Sequence, residues 1–167
     1  MNSSPSWLYD SHSNPILVNT TTLVPRFVAE TYLHVNQSPT KTHGVVLFRW
    51  LNRDLYEGDS ANYDKACAEL ATFLEQYQRD IDLQFSVNGA GLGVILCRAN
   101  ATKLHSSMRA LIQDISWATM VTANGRTCLI RQVLRLQVGW AMSDAKVSGR
   151  EVLRLAEQRS YDVKHAL

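Results

Sequence analysis

The chain of 167 residues contains no CxxC pair, no HxxxH or HExxH spacing, and no apolar run near the roughly 18 residues a membrane helix requires. Each absence removes a class of protein. The three cysteines, Cys67, Cys97 and Cys128, are odd in number, and the first two lie in apolar stretches, so reduced core thiols are expected rather than a disulfide framework. The five histidines (His12, His34, His43, His105, His165) are scattered, which speaks against zinc, and no metal site is expected. The first residues lack a basic segment followed by an apolar one, so a soluble chain is expected, any membrane tether belonging to a larger parent protein. Charge of one sign is also lacking: 17 basic against 15 acidic side chains leave +2. Bulk charge therefore gives no basis for a nucleic-acid partner or an anionic membrane, and any anionic ligand must be held by a few placed cations.

What is present is globular: 46% hydrophobic and 19% charged, with no internal repeat or low-complexity tract. Residues 1–43, rich in Ser, Asn, Thr and Pro, read as an N-terminal linker or extension with one helical or extended segment near 23–33. Residues 44–167 read as one domain. The run 44–51 has strand composition; 61–78 places Ala66, Leu70, Phe73, Leu74 and Tyr77 on one helical face. Strands at 81–87 and 92–97 flank a tight turn at Asn88, Gly89, Ala90 and Gly91. A helix follows over 102–117, then a hairpin at Asn124 and Gly125 joining a short strand to a long one over 128–141, and a closing helix over 148–165. Trp50, Trp117 and Trp140 adjoin apolar runs and are expected in the core, while Trp7 could pack on a partner. Ser86 and Ser107 have no base in register, and the Gly-rich turn opens no helix, so it offers an anion no dipole. The order of elements predicts an α+β fold, a two-layer sandwich with a mostly antiparallel central sheet flanked by helices.

Arg79 and Asp82 form an RxxD, followed by five residues and then Asn88, Gly89, Ala90, Gly91 and Leu92 before an apolar strand. This arrangement resembles the GGDEF family, the diguanylate cyclases, in which RxxD precedes the signature turn at that spacing. Two later landmarks agree: Gln137 to Ala141 resembles the family's late strand, and Ala156 to Lys164 its closing helix. The resemblance implies a nucleotidyl-cyclase-like fold over about 44–167.

It also implies a domain without catalysis. The family holds divalent metal with one carboxylate from the first strand and another from the turn, because Mg²⁺ takes hard oxygen ligands. Leu47, Ala90 and Gly91 fall at those positions. Of the guanine pocket, Leu55 stands where the family has Asn, Asp64 matches, and Lys164 matches a phosphate-contacting lysine. What the resemblance retains is the inhibitory site. It implies that Arg79 and Asp82 bind cyclic di-GMP, with Arg109 as a second arginine and Arg98 a further candidate. Arginine offers a planar donor fork for phosphate or a guanine edge, and a carboxylate accepts guanine N–H groups. Asp80 adds a negative charge that works against a dianionic ligand. The expectation is a cyclic di-GMP receptor of the bacterial cytoplasm, needing no cofactor and regulating a partner protein in exopolysaccharide secretion or biofilm control, with a ligand-bridged homodimer as one assembly. The alternative is a ligand-free interaction domain descended from a cyclase.

Overall fold

The computed structural model describes residues 6–9, 15–18, 23–77, 81–87, 89–143 and 147–165. The chain runs through β1 (Ser6–Tyr9), β2 (Pro15–Val18), β3 (Leu23–Val24), α1 (Arg26–Val35), β4 (Thr42–Arg49) and α2 (Ser60–Glu75). It continues through β5 (Leu83–Ser86), β6 (Gly91–Arg98), α3 (Ala101–Trp117), β7 (Thr119–Val121) and β8 (Thr127–Leu129). It ends with α4 (Ile130–Leu134), β9 (Gln137–Met142), α5 (Gly149–Gln158) and β10 (Tyr161–Asp162).

The apolar run of β4 is continuous because both of its faces are covered. Val45 and Leu47 point to one side of the sheet, Val46 and Phe48 to the other, and all four are fully buried. β4 lies in a six-stranded sheet ordered β10-β9-β4-β6-β5-β3, antiparallel at every pairing except β3 with β5. Leu70 and Leu74 of α2, Leu104, Met108 and Ile112 of α3, and Ile130 and Leu134 of α4 pack on the Val46 face. Ala29 and Leu33 of α1, with Val152, Leu153 and Ala156 of α5, pack on the Leu47 face. Helices thus cover both faces, giving three layers where the sequence suggested two. Asp59, Asn100 and Ser148 cap α2, α3 and α5 by accepting from backbone N–H groups, each worth about 1 kcal/mol. Gly139 lets α5 approach β9 closely: a Cβ there would lie 2.2 Å from the Ala156 carbonyl oxygen.

Three expectations need correction, and one gains a place in the fold. The long strand over 128–141 is broken by α4, whose end is turned by Arg135 in the left-handed region at φ 49°. The closing helix stops at Gln158, β10 pairs Tyr161 with Val138, and Val163 enters the core from a single 3-10 turn over Val163–His165 that follows this edge strand, not from the closing helix. The helical or extended segment expected within the N-terminal linker or extension is β3 and α1, and it packs on the domain: β3 joins the sheet and α1 buries Ala29 and Leu33. Trp117 is 66% exposed, while Trp50 is buried and Trp140 half-buried. Asn124 and Gly125 do form the expected β7–β8 turn, with Gly125 at φ +85°. Among the described residues no helix is long and apolar enough to cross a membrane. Cys67, Cys97 and Cys128 are unpaired, and burial pushes the Cys67 thiol up to about 12.

Candidate functional site

Asp82 stands in the bend that leads into β5. Its backbone N–H donates to the Ile95 carbonyl of β6 at 2.9 Å, and the preceding Ile81 is buried in the core, so the residue is pinned from both sides. Its carboxylate lies among groups from three other elements. Tyr32 comes from α1, His43 from β4, and Cys97 and Arg98 from the end of β6, with Lys41 just before β4. The Tyr32 and His43 rings meet edge to face at 6.2 Å, and His43 lies opposite Cys97 in the β4–β6 ladder.

The electrostatics of this cluster are mixed. Asp82 is exposed as a residue, yet its carboxylate is partly desolvated, and that burial raises its pKa against the pull of Arg98, His43, Lys41 and the Tyr32 hydroxyl. Tyr32 is raised by burial and then by the Asp82 charge. Burial lowers the pKa of His43, with Lys41 adding to that effect and Asp82 opposing it. A histidine depressed in the folded state binds fewer protons there than in the unfolded chain. Its contribution to stability is therefore complete above the unfolded value, roughly 6.5, and is lost as pH falls through the depressed value. Thermal melts of His43→Asn should accordingly lose less stability than the wild type between about pH 7 and pH 5. Parallel slopes for the two proteins would show that His43 titrates normally.

Of the residues singled out in the sequence, Arg79 lies outside the described residues, as do Asp80 and Asn88. Arg109 is exposed on α3, and no contact among the described residues joins it to Asp82. Arg98 is the arginine whose charge acts on the Asp82 carboxylate. It is held in place: its Nε donates to Ser107 Oγ at 3.1 Å and its Nη1 to the Cys97 carbonyl at 2.7 Å. Tyr32 and Lys41 escaped the sequence reading because they fall in the stretch assigned to a linker. The apolar patch over 23–33, with its two aromatic residues Phe27 and Tyr32, was the signal that could have found Tyr32.

The two positions assigned to metal carry no oxygen ligand, and their surroundings do not suit one. Leu47 is fully buried in the middle of β4, opposite Gly93 on one side and Gly139 on the other. Ala90 is 5% exposed, and a Cβ on Gly91 would lie 2.5 Å from the Phe48 carbonyl oxygen. Among the described residues no group of three or more His, Cys, Asp or Glu side chains is placed to hold a metal ion. Asp64 is engaged by Arg53 in a two-point ion pair, Nε to Oδ1 at 3.0 Å and Nη2 to Oδ2 at 3.1 Å. Leu55 is 63% exposed and Lys164 points to solvent beyond the end of α5.

No protein-family profile matches the sequence, and no curated protein matches it. Solved structures do match. The GGDEF domain of YfiN (TpbB) from Pseudomonas aeruginosa superposes with a TM-score of 0.60 at 18% identity, over 83% of this chain and 88% of that one. The fold is that of a GGDEF domain. The GGDEF domain of FimX from the same organism gives 0.56 at 14% identity, over 84% of this chain and 82% of that one. The GGDEF domain of DgcB from Caulobacter crescentus, solved in complex with c-di-GMP, gives 0.56 at 13% identity over 84% and 88% of the two chains. In this GGDEF fold the α1 layer and the β4–β6 ends converge on Asp82, whereas Leu47 lies in the core and Gly91 is buried at the start of β6.

Proposed function

We propose that this domain is a non-catalytic receptor for cyclic di-GMP, built around Asp82 and Arg79, that regulates a partner protein of the bacterial cytoplasm such as one controlling exopolysaccharide secretion. The observation that carries this reading is the Asp82 carboxylate, partly desolvated at the surface and acted on by Tyr32, Lys41, His43 and Arg98. A carboxylate is an acceptor for the guanine N1–H and N2–H groups, and the surrounding cations suit the phosphates of the same ligand. The apolar surroundings of Leu47, Ala90 and Gly91 support the absence of metal-dependent turnover.

Arg79 has the decisive test. Calorimetry should give a saturable heat for cyclic di-GMP with the wild type and little or none with Arg79→Ala. Equal heats for the two proteins would end the assignment of this residue. Arg98 and Arg109 should differ in rank. Arg98 is preorganised by Ser107 and a backbone carbonyl, whereas Arg109 must be ordered from solvent at a loss of side-chain entropy. Arg98→Ala should therefore weaken binding roughly tenfold, the worth of one hydrogen bond to a charged group, and more than Arg109→Ala does. The reverse order would move the phosphate contact to α3.

A ligand-free interaction domain is the second reading. It is favoured by Phe27 and Val35, which are 67% and 70% exposed on α1. It requires that no cyclic dinucleotide binds.

A further inference from the structure

A recess whose described lining does not include Asp82 opens between the C-terminal parts of α2 and α3. It encloses about 430 Å³ and is lined by Glu69, Phe73 and Tyr77 on the α2 side, by Asp114 and Trp117 of α3, and by Ile130 of α4. Glu69 and Phe73 lie four residues apart on α2, beside the core stripe of Ala66, Leu70 and Leu74, and Tyr77 follows in the turn just past the helix end. The Phe73 and Tyr77 rings pack at 5.6 Å, and the Tyr77 hydroxyl donates to the Asp114 carboxylate. Trp117 leaves 66% of its surface to solvent.

Among the described residues the lining carries two carboxylates and three aromatic rings but no Lys, Arg or His. The charged side chains of the described lining are thus both acidic, in a chain that carries +2 overall. Two carboxylates with no described cation among the lining residues repel a phosphate, so the recess is unsuited to the phosphates of a cyclic dinucleotide. The same groups favour a cation, because aromatic faces attract guanidinium and ammonium groups while carboxylates accept their N–H bonds. The chain itself shows the preference: the Arg131 guanidinium lies over the Trp117 ring at 5.6 Å from outside the lining. Arg131 covers part of the indole, and what remains exposed is a rigid apolar anchor of the kind that dominates binding surfaces.

We propose that this recess docks a basic segment of a partner protein, with a Lys or Arg head between Glu69 and Asp114 and an adjacent apolar side chain against Phe73 and Trp117. The charge complementarity selects a basic occupant, and the exposed aromatic surface demands an apolar residue beside the cation. The described lining shares no residue with the cyclic di-GMP reading, and the proposal does not rest on that reading.

Fluorescence anisotropy with a short labelled arginine–leucine peptide, and with its glutamate–leucine counterpart, tests this. The basic peptide should bind and the acidic one should not, and added salt should weaken the complex. The double variant Glu69→Gln with Asp114→Asn should lose roughly tenfold in affinity, as expected for removing a charge-assisted contact. Trp117→Ala should weaken it similarly, and Asp82→Asn should leave it unchanged. All of these side chains are at or near the surface, and circular dichroism verifies that the variants are folded. Failure of the basic peptide to bind at about 1 mM, equal binding of the acidic peptide, or indifference to the double variant would overturn the proposal.

Discussion

Asp82→Asn should lower the affinity for cyclic di-GMP by roughly 10- to 150-fold, the equivalent of the 1.5–3 kcal/mol carried by hydrogen bonds to a charged group. The substitution keeps the size of the side chain and one carbonyl oxygen, but it replaces an acceptor-only group with one that offers N–H donors to guanine N–H donors. The same change should not destabilise the protein. Burial raises the Asp82 pKa, so the folded chain binds the proton more tightly than the unfolded chain does. With a raised carboxylate, stability is highest below the unfolded pKa and falls as pH rises through the folded one. At neutral pH the charge is therefore carried at some loss of stability, and neutral asparagine relieves it. The expected outcome is loss of binding by calorimetry with a melting temperature equal to or slightly above that of the wild type. A fall in melting temperature alongside lost binding would mean that Asp82 is a structural residue whose removal loosens the start of β5.

Leu47→Asp should not create a metal site and should instead unfold the domain. The side chain is fully buried between β4 and the α1–α5 layer, in contact with the cluster of Val45, Phe85, Ile95 and Leu153. Removing a buried leucine costs about 2–5 kcal/mol, and leaving an unpaired carboxylate in its place adds several more. Together these rival the roughly 5–15 kcal/mol that holds a typical domain folded. Adding carboxylates at Ala90 and Gly91 meets the same obstacle, since a Cβ on Gly91 would lie within 2.5 Å of the Phe48 carbonyl oxygen. Denaturant titration should therefore show Leu47→Asp largely unfolded in buffer, with or without Mg²⁺. A folded protein whose midpoint rises with Mg²⁺ would contradict the placement of Leu47 in the core.

Patterning made much of the fold legible. The continuous apolar run of β4, the Asn124–Gly125 turn and the faces of α2 and α3 were readable because period and turn chemistry are local properties. What failed was set by tertiary pairing. Ile130 to Leu134 looks like strand but turns into α4, and the end of the chain leaves its helix because β9 has an open edge for Tyr161 and Asp162. The candidate site was half legible. Asp82 stood out by spacing, whereas Tyr32, Lys41 and His43 reach it across the sheet from a segment that composition assigned to a linker. Trp117 looked like core because its neighbours are apolar, yet the inward face of α3 is already filled by Leu111, Ile112 and Ile115.

The most direct test is a pair of calorimetric titrations on one preparation, first with cyclic di-GMP and then with GTP and Mg²⁺. A receptor without catalysis predicts saturable heat from the first ligand, none from the second, and no cyclic product on incubation. Saturable heat from GTP and Mg²⁺ with formation of cyclic di-GMP, or no heat from cyclic di-GMP, would contradict it.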